Sequence, residues 1–296
     1  MKLLITGASG LYGSKLAELS QKNGHKVYAG YSKNKVYYGN PVQFDIAEKS
    51  QVDAVFKQVS PEVVVHAATL TDVDKCETSK ELAWKINVEG TRNVAEAAKA
   101  SKAFLIYIST DYVFNGEKGH YKETDKPNPV NYYGHTKLKA EELVQAIAKK
   151  YCIARTCVIY GASPASGKTN FALWLIGKLK NKEQTKIVTD QWISPTLNTS
   201  LAEMTLETIE RKLTGIYHLA GATRLSRLEL ATQIAQTFNL ETKTIQPVAS
   251  SQMTWTAKRP KDSSLDTSKA QQTLKTKPIQ IKEALQRLKA EMEKPS

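Results

Sequence analysis

Residues 2–24 read KLLITGASGLYGSKLAELSQKNG. The run KLLIT (2–6) is short and apolar enough for a buried strand. A turn with Gly7, Gly10 and Gly13 follows, and Ser14 to Lys22 then carries a helical pattern closed by Asn23-Gly24. Strand, glycine turn and helix in that order are what a dinucleotide site requires. Glycine lets the backbone turn sharply and approach a pyrophosphate, while the helix N-terminus offers unpaired N–H groups and the positive end of its dipole. Gly13 lets helix and strand pack closely. The competing reading is a tight structural turn that holds no ligand.

The same alternation continues outward. HKVYAGY (25–31), VQFD (42–45), PEVVVHAA (61–68), AFLIYIST (103–110) and YCIARTCVIY (151–160) read as strands, with helices at about 50–59, 79–101 and 131–150 between them. A helix at 169–181, strand KIVT (186–189), a helix near 198–212, strand GIYHLA (215–220) and helices at 225–238 and about 280–292 complete the chain. This is the pattern of βαβ units and predicts an α/β fold: a Rossmann-type doubly wound parallel sheet with a smaller C-terminal substrate-binding domain. The expected division gives 1–160 plus about 197–221 to the dinucleotide half, and about 161–196 plus 222–296 to the smaller one.

The 296 residues include 42 Lys+Arg and 29 Asp+Glu, a formal charge of +13, and 41% are hydrophobic. A chain of this size buries a sizeable core without staples. Cys76, Cys152 and Cys157 are too few and too irregular for a disulfide framework or a zinc site, which points to the cytoplasm. The apolar runs LLI and FALWLIG (171–177) are too short for export or for a membrane span. The basic residues are scattered and match no nucleic-acid-binding pattern, so the useful role for the charge is attraction of an anionic small substrate.

Dinucleotide folds often place an acid at the end of the second strand for the ribose 2′-OH of NAD. Here the strand runs AGYSKNK, and Ser32, Lys33 and Lys35 stand where a 2′-phosphate would sit. NADP is therefore expected, with NAD the alternative. Asp45 and Ile46, at the end of the third strand, read either as adenine contacts or, for Asp45, as part of a helix N-cap region. In VNYYGHTK, Tyr133 and Lys137 are four residues apart and share one helix face; Tyr132 has no lysine at that spacing. A neighbouring ammonium favours phenolate, which suits Tyr133 to giving a proton to a carbonyl oxygen as hydride arrives, with Lys137 also holding the nicotinamide ribose. Thr110 and Asp111 end a strand, where ligands gather in open α/β sheets, and Thr110 is placed to hydrogen-bond the same oxygen.

The glycine turn, HAATLTDVDKCE (66–77), ISTDYVFNG (108–116), NYYGHTK (131–137), RTCVIYG (155–161), TDQWISPT (189–196) and RPKDSSLD (259–266) together resemble the extended short-chain dehydrogenase/reductase superfamily. Within it, they resemble the dTDP-4-dehydrorhamnose reductase family over nearly the whole chain. The resemblance implies Tyr133 as proton donor, Lys137 as its partner and Thr110 as the hydroxyl that tunes proton transfer. It implies Asp111 as a contact to the sugar, and Gly10, Leu11, Tyr12, Asp45, Ile46, Ala67, Ala68, Thr69 and Ser109 around the cofactor. The implied reaction is reduction of the 4-keto group of a nucleotide-linked deoxysugar by NAD(P)H, in a monomer or homodimer. Val158 stands where the family motif usually has a tryptophan that packs on the sugar. The family also includes a regulatory subunit of methionine adenosyltransferase, which keeps the tyrosine and lysine but acts by binding a partner.

Other features have competing readings. ASPASGKT (162–169) fits a loose phosphate-loop pattern, but no magnesium-holding aspartate accompanies it, and a flexible loop with Lys168 near the substrate entrance is the alternative. His25, His66, His120, His135 and His218 lack metal spacing, and no metal is expected. His66 is the one beside the expected cofactor. Trp174, Trp192 and Trp255 read as core or interface residues before base contacts. Asn87 reads equally as a water-mediated bridge to catalysis and as a polar contact of its helix.

Overall fold

Leu3 and Ile5 face one side of the first strand and Leu4 the other, and all three are fully buried. A strand buried on both faces belongs to a parallel sheet covered by crossover helices. The computed structural model describes residues 1–163 and 169–293, so Lys168 and most of the loop read as a phosphate loop lie outside the described residues. In chain order the strands are β1 Lys2–Thr6, β2 Lys26–Tyr31, β3 Asn40–Gln43, β4 Val63–His66, β5 Phe104–Thr110, β6 Tyr151–Thr156, β7 Ile159–Tyr160, β8 Thr185–Val188, β9 Trp192–Ile193, β10 Thr196–Leu197, β11 Gly215–His218, β12 Leu225–Ser226 and β13 Ile245–Val248. The helices are α1 Leu11–Lys22, α2 Lys49–Val59, α3 Val73–Thr78, α4 Lys80–Trp84, α5 Gly90–Ala100, α6 Tyr132–Ile147, α7 Phe171–Lys180, α8 Asn198–Arg211, α9 Arg227–Thr237, α10 Ser268–Thr273 and α11 Ile281–Glu293.

Seven strands form one parallel sheet in the order β11-β6-β5-β4-β1-β2-β3. The chain reverses its direction of travel between β1 and β4, and a crevice opens at the carboxyl ends of the strands there. This is the doubly wound Rossmann-type fold. α1 and α8 cover the face that holds Leu3, Ile5, Val27 and Ile106, while α2, α5 and α6 cover the face that holds Leu4, Val64, Leu105 and Ile153. A second core gathers α7, α9 and α11 around Leu175, Ile187, Leu230, Ile234 and Leu285.

Besides the short strands β9, β10, β12 and β13 and helix α10, none of them expected, the structure departs from the expected organisation in four ways. The strand expected over 151–160 breaks after Thr156: Val158 takes φ 39°, and Ile159–Tyr160 pair with Thr196–Leu197 instead of with the main sheet. Thr196 holds the break, its N–H donating to Val158 O at 3.2 Å and its hydroxyl to Cys157 O at 2.8 Å. The helix expected over 79–101 contains a π-helical turn at Lys85–Glu89. α3, inside a stretch with no expected helix, is capped by Asp72, whose Oδ1 accepts from Lys75 N at 3.0 Å. Segments also cross the expected division. Phe114 and Tyr121, stacked 4.2 Å apart, belong to the second core, and Ala270 and Leu274 to the first.

Inside the sheet lies a buried ion pair. Arg155 on β6 donates to Glu141 on α6 through Nε (3.0 Å) and Nη2 (2.7 Å), and Ser109 Oγ adds a third bond at 2.5 Å. A buried charge that loses its partner keeps its full desolvation cost. Glu141→Gln is therefore expected to lower the unfolding free energy by about 3–5 kcal/mol, and the double change Glu141→Leu with Arg155→Met to cost far less. Urea unfolding of the three proteins measures this, and a double variant less stable than the single one contradicts it.

Candidate active site

The turn after β1 is built so that no side chain fits inside it. Gly7 takes φ 69°, and a Cβ there would meet Ala68 N at 2.8 Å; a Cβ on Gly13 would stand 2.2 Å from Gly7 O. α1 begins with Gly10 at its N-cap, without a capping side chain and with no acid in its first turn. Its leading N–H groups and dipole therefore serve whatever anion enters the cleft.

The opposing edge, residues 67–70, is held from beneath by polar groups. Thr6 Oγ1 accepts from Ala67 N (3.2 Å) and Ala68 N (3.1 Å) and lies 2.7 Å from His66 Nδ1. Thr91 Oγ1 donates to Asn87 O (2.7 Å) and lies 3.0 Å from His66 Nε2. The Thr6 proton is thus directed at Nδ1, and Nε2 carries the ring proton toward Thr91. Burial, with the Lys137 charge adding to it, lowers the His66 pKa to about 3, in keeping with that neutral ring. Asn87 stands in the π-helical turn. Its Oδ1 accepts from Thr69 Oγ1 and Leu70 N, and its Nδ2 donates to Leu70 O and Thr136 Oγ1. Thr136 in turn donates to the carbonyl of Tyr133 at 2.8 Å. All of Asn87's amide capacity goes to protein groups, which favours the polar-contact reading.

Tyr133 enters the cleft from the first turn of α6, where Asn131 caps the helix by accepting from Gly134 N at 2.9 Å. Tyr132 stays outside, beneath Lys80 at 5.4 Å. Burial pushes the Tyr133 phenol well up, and its hydrogen bond with Thr110 pulls against that rise. Lys137 is buried, donates to Ile108 O at 2.7 Å and lies 4.1 Å from the centre of the Tyr107 ring. Burial lowers its pKa to about 7, against an opposing pull from Glu141. The lysine was expected to draw the phenol toward phenolate; the dry surroundings instead drive both groups toward their neutral forms.

One cleft of about 840 Å³ is lined by Gly7, Gly10, Leu11, Tyr12, Gly13, Ser32, Lys33, Asp45, Ile46, Ala67, Ala68, Thr69, Ser109, Thr110, Asp111, Tyr133, Lys137 and Val158, all expected around the cofactor and substrate; Lys35, expected beside Lys33, does not line it. Four of them spend their side-chain polar groups elsewhere. Tyr12 OH donates to Thr205 at 2.9 Å, and Ser109 Oγ is turned to Glu141. Asp45 Oδ1 accepts from Ala47 N, one turn ahead of α2, whose N-cap is Glu48. Asp111, expected at the sugar, accepts from Thr110 Oγ1 (3.0 Å), Ser263 Oγ (2.5 Å) and Cys157 Sγ (3.1 Å). Burial raises its carboxyl and these three donors lower it. Among the described residues, no group of three His, Cys, Asp or Glu side chains is placed to hold a metal ion, and no helix is long and apolar enough to cross a membrane.

The model of the RmlD substrate binding domain family matches residues 1–294. The chain belongs to that family. It is 31% identical to dTDP-4-dehydrorhamnose reductase of Aggregatibacter actinomycetemcomitans, over 98% of each chain. It is also 31% identical to methionine adenosyltransferase 2 subunit beta of Bos taurus, over 90% of this chain and 81% of that one. The crystal structure of dTDP-4-dehydrorhamnose reductase from Bacillus anthracis in complex with NADP superposes with a TM-score of 0.89, at 32% identity, over 98% of this chain and 99% of the other.

In this member of the RmlD substrate binding domain family, sequence reasoning missed Thr6, Cys157, Ser263 and Arg227. Thr6 ends a recognised strand and Arg227 follows a helix-capping serine, so both had a local signal; the contacts of Cys157 and Ser263 with Asp111 had none. Two outcomes follow from the geometry. Gly13→Ala is expected to abolish dinucleotide binding, measured by fluorescence titration with NADPH, because its Cβ would collide with backbone. Lys137→Met is expected to stabilise the cofactor-free protein by about 1–3 kcal/mol at pH 7. Between about 7 and 10.5 the unfolded chain holds a proton on Lys137 that the folded protein lacks, so wild-type stability rises with pH across that window. The advantage of the variant therefore shrinks toward pH 10, and melting curves from pH 6 to 10 would expose a constant or inverted difference.

Proposed function

We propose that the protein reduces the 4-keto group of a nucleotide-linked deoxysugar, as in the synthesis of dTDP-L-rhamnose, with NADPH as the reductant. The observation that carries this reading is the meeting of Tyr133, Thr110 and Lys137 in the cleft that also contains the uncapped start of α1. The residues present fit a dinucleotide: a glycine cradle with no room for Cβ atoms, unpaired helix donors, and Ser32 and Lys33 exposed at the end of β2 with no acid among them. When bound, the dihydronicotinamide supplies the hydride.

The protein's own groups do the rest. Tyr133 gives its phenolic proton to the carbonyl oxygen as negative charge develops there, and Thr110 hydrogen-bonds the phenol and steadies its orientation. Lys137, donating to Ile108 O and with a pKa lowered to about 7, in its protonated form stabilises the phenolate and would hold the ribose of the cofactor. The wall at Thr169, Asn170 and Arg227 receives the sugar and its nucleotide, with Val158 and Asp111 at its edge. Asp111 acts there by keeping Thr110 and Ser263 in place.

A second reading, a noncatalytic NADP-binding subunit, is supported by the likeness to methionine adenosyltransferase 2 subunit beta. Purified protein is expected to oxidise NADPH in the presence of a dTDP-4-keto sugar. Tyr133→Phe should lower kcat by about 100-fold or more with NADPH affinity unchanged. NADPH binding without turnover on any keto sugar, together with tight capture of methionine adenosyltransferase, would establish the second reading instead.

A further inference from the structure

Six of the chain's seven arginines are held by carboxylates: Arg92 by Glu89, Arg155 by Glu141, Arg211 by Glu207, Arg224 by Asp262, Arg259 by Asp74 and Arg287 by Glu203. Arg227 is the exception among the described residues. It lines the cleft, half-buried, with its guanidinium 5.5 Å from the centre of the Phe171 ring. Its electrostatic neighbours are Asp111 and Tyr112, beside Thr110 and Tyr133. Burial raises the Asp111 carboxyl and the Tyr112 phenol, and the Arg227 charge is near enough to pull each back; Tyr112 meets Tyr133 edge to face at 6.0 Å.

The backbone beneath Arg227 is fixed. Leu225–Ser226 pair with Trp192–Ile193, and Arg227 N donates to Gln191 O at 3.0 Å. The start of α9 is already closed by a capping box in which Ser226 Oγ accepts from Glu229 N and Glu229 accepts from Ser226 N. The leading helix donors are thus partly spent, and the guanidinium is, among the described residues of that wall, that of an arginine no carboxylate holds. A guanidinium packed on an aromatic ring and anchored to a rigid element presents two parallel donors, a match for a phosphate.

We propose that Arg227 binds the diphosphate of the nucleotide-sugar substrate and sets how far the sugar reaches toward Tyr133. This rests on the reductase reading, which supplies a second anion beside the cofactor's pyrophosphate. The glycine turn takes one of these anions, and Arg227 takes the other. A substrate lacking a diphosphate would lose this contact, so the residue selects nucleoside-diphosphate sugars over free sugars and sugar monophosphates.

The test is calorimetric titration of dTDP, UDP and dTMP into the NADPH-loaded wild type, Arg227→Gln and Arg227→Lys, with NADPH affinity and turnover measured alongside. In Arg227→Gln the affinity for dTDP or UDP should fall by about tenfold or more, with a smaller loss for dTMP, and Arg227→Lys should recover part of it. NADPH affinity should not change, and the salt dependence of dTDP binding should flatten. Unchanged dTDP and UDP affinity in Arg227→Gln, with keto-sugar turnover intact in the wild type, overturns the assignment and leaves the reductase reading standing. An equal loss of NADPH affinity also overturns it, by assigning Arg227 to the cofactor. A wild type that binds neither nucleoside diphosphate nor keto sugar overturns the reductase reading and this inference with it.

Discussion

The neutral ring of His66, held between the hydroxyls of Thr6 and Thr91, is the interaction on which the site depends. β1 and β4 are neighbours in the sheet, and the imidazole joins the end of one to the helix that follows the other. Through Thr6 it fixes the amides of Ala67 and Ala68, against which Gly7 packs with no space for a Cβ. Through Thr91 it reaches the π-helical turn, Asn87, Thr136 and the carbonyl of Tyr133. A protonated imidazole would have a donor on both nitrogens and would break the bond from Thr6. The dry interior that keeps the ring neutral is therefore also what keeps the glycine turn and the tyrosine in one frame.

The same dryness works against stability elsewhere. Lys137 is held at a cost in the folded state because its charged form is disfavoured, while the proposed chemistry calls for a cation beside a Tyr133 phenolate. Glu141, one turn further along α6, partly offsets this, but its own charge is committed to Arg155. Tyr133, Lys137 and Glu141 thus form a stripe at i, i+4 and i+8 in which the first two line the cleft and the last anchors the helix to β6. Such a stripe places ionisable groups where burial disfavours their charged forms, a cost to the folded state that the proposed reaction would account for.

What could be read from the chain follows from distance along it. The strand-turn-helix at 2–24, the alternation of strands and helices, and the pair Tyr133 and Lys137 are local patterns, and hydrophobic period and glycine chemistry are enough to show them. Departures came where remote segments impose the conformation. Val158 takes a positive φ, which a β-branched residue rarely adopts, because Thr196, some forty residues on, holds the backbone on both sides of it. The π-helical turn at Lys85–Glu89 has no propensity signal; it goes with the four hydrogen bonds that Asn87 makes to Thr69, Leu70 and Thr136. Asp111 was legible as a strand-end carboxylate, but its donors Cys157 and Ser263 lie 46 and 152 residues away. Arg227 was missed because a basic residue at a helix start says nothing about whether a carboxylate elsewhere will claim it.

The segment from Trp255 to Leu265 explains how a cleft between two cores can hold a fixed geometry. Lys258 O accepts from Asn131, the cap of the helix that carries Tyr133, and Arg259 makes paired bonds to Asp74 in α3. Pro260 packs against Gly116 so closely that a Cβ there would stand 2.5 Å away, and Ser263 bonds Asp111 beside Thr110. Four ties, none longer than 3.1 Å where hydrogen-bonded, connect this strap to the elements that bear the reacting groups. Its last residue, Leu265, belongs to the core that carries Phe171 and α9. A shift of either wall by 1 Å would have to break several of these bonds at once, so the separation between the α9 wall and Tyr133 is set before any ligand arrives. In the proposed reaction Asp111 therefore serves by being committed to its donors: a carboxylate free to turn toward a sugar would release Ser263 and, with it, one tie between the strap and Thr110.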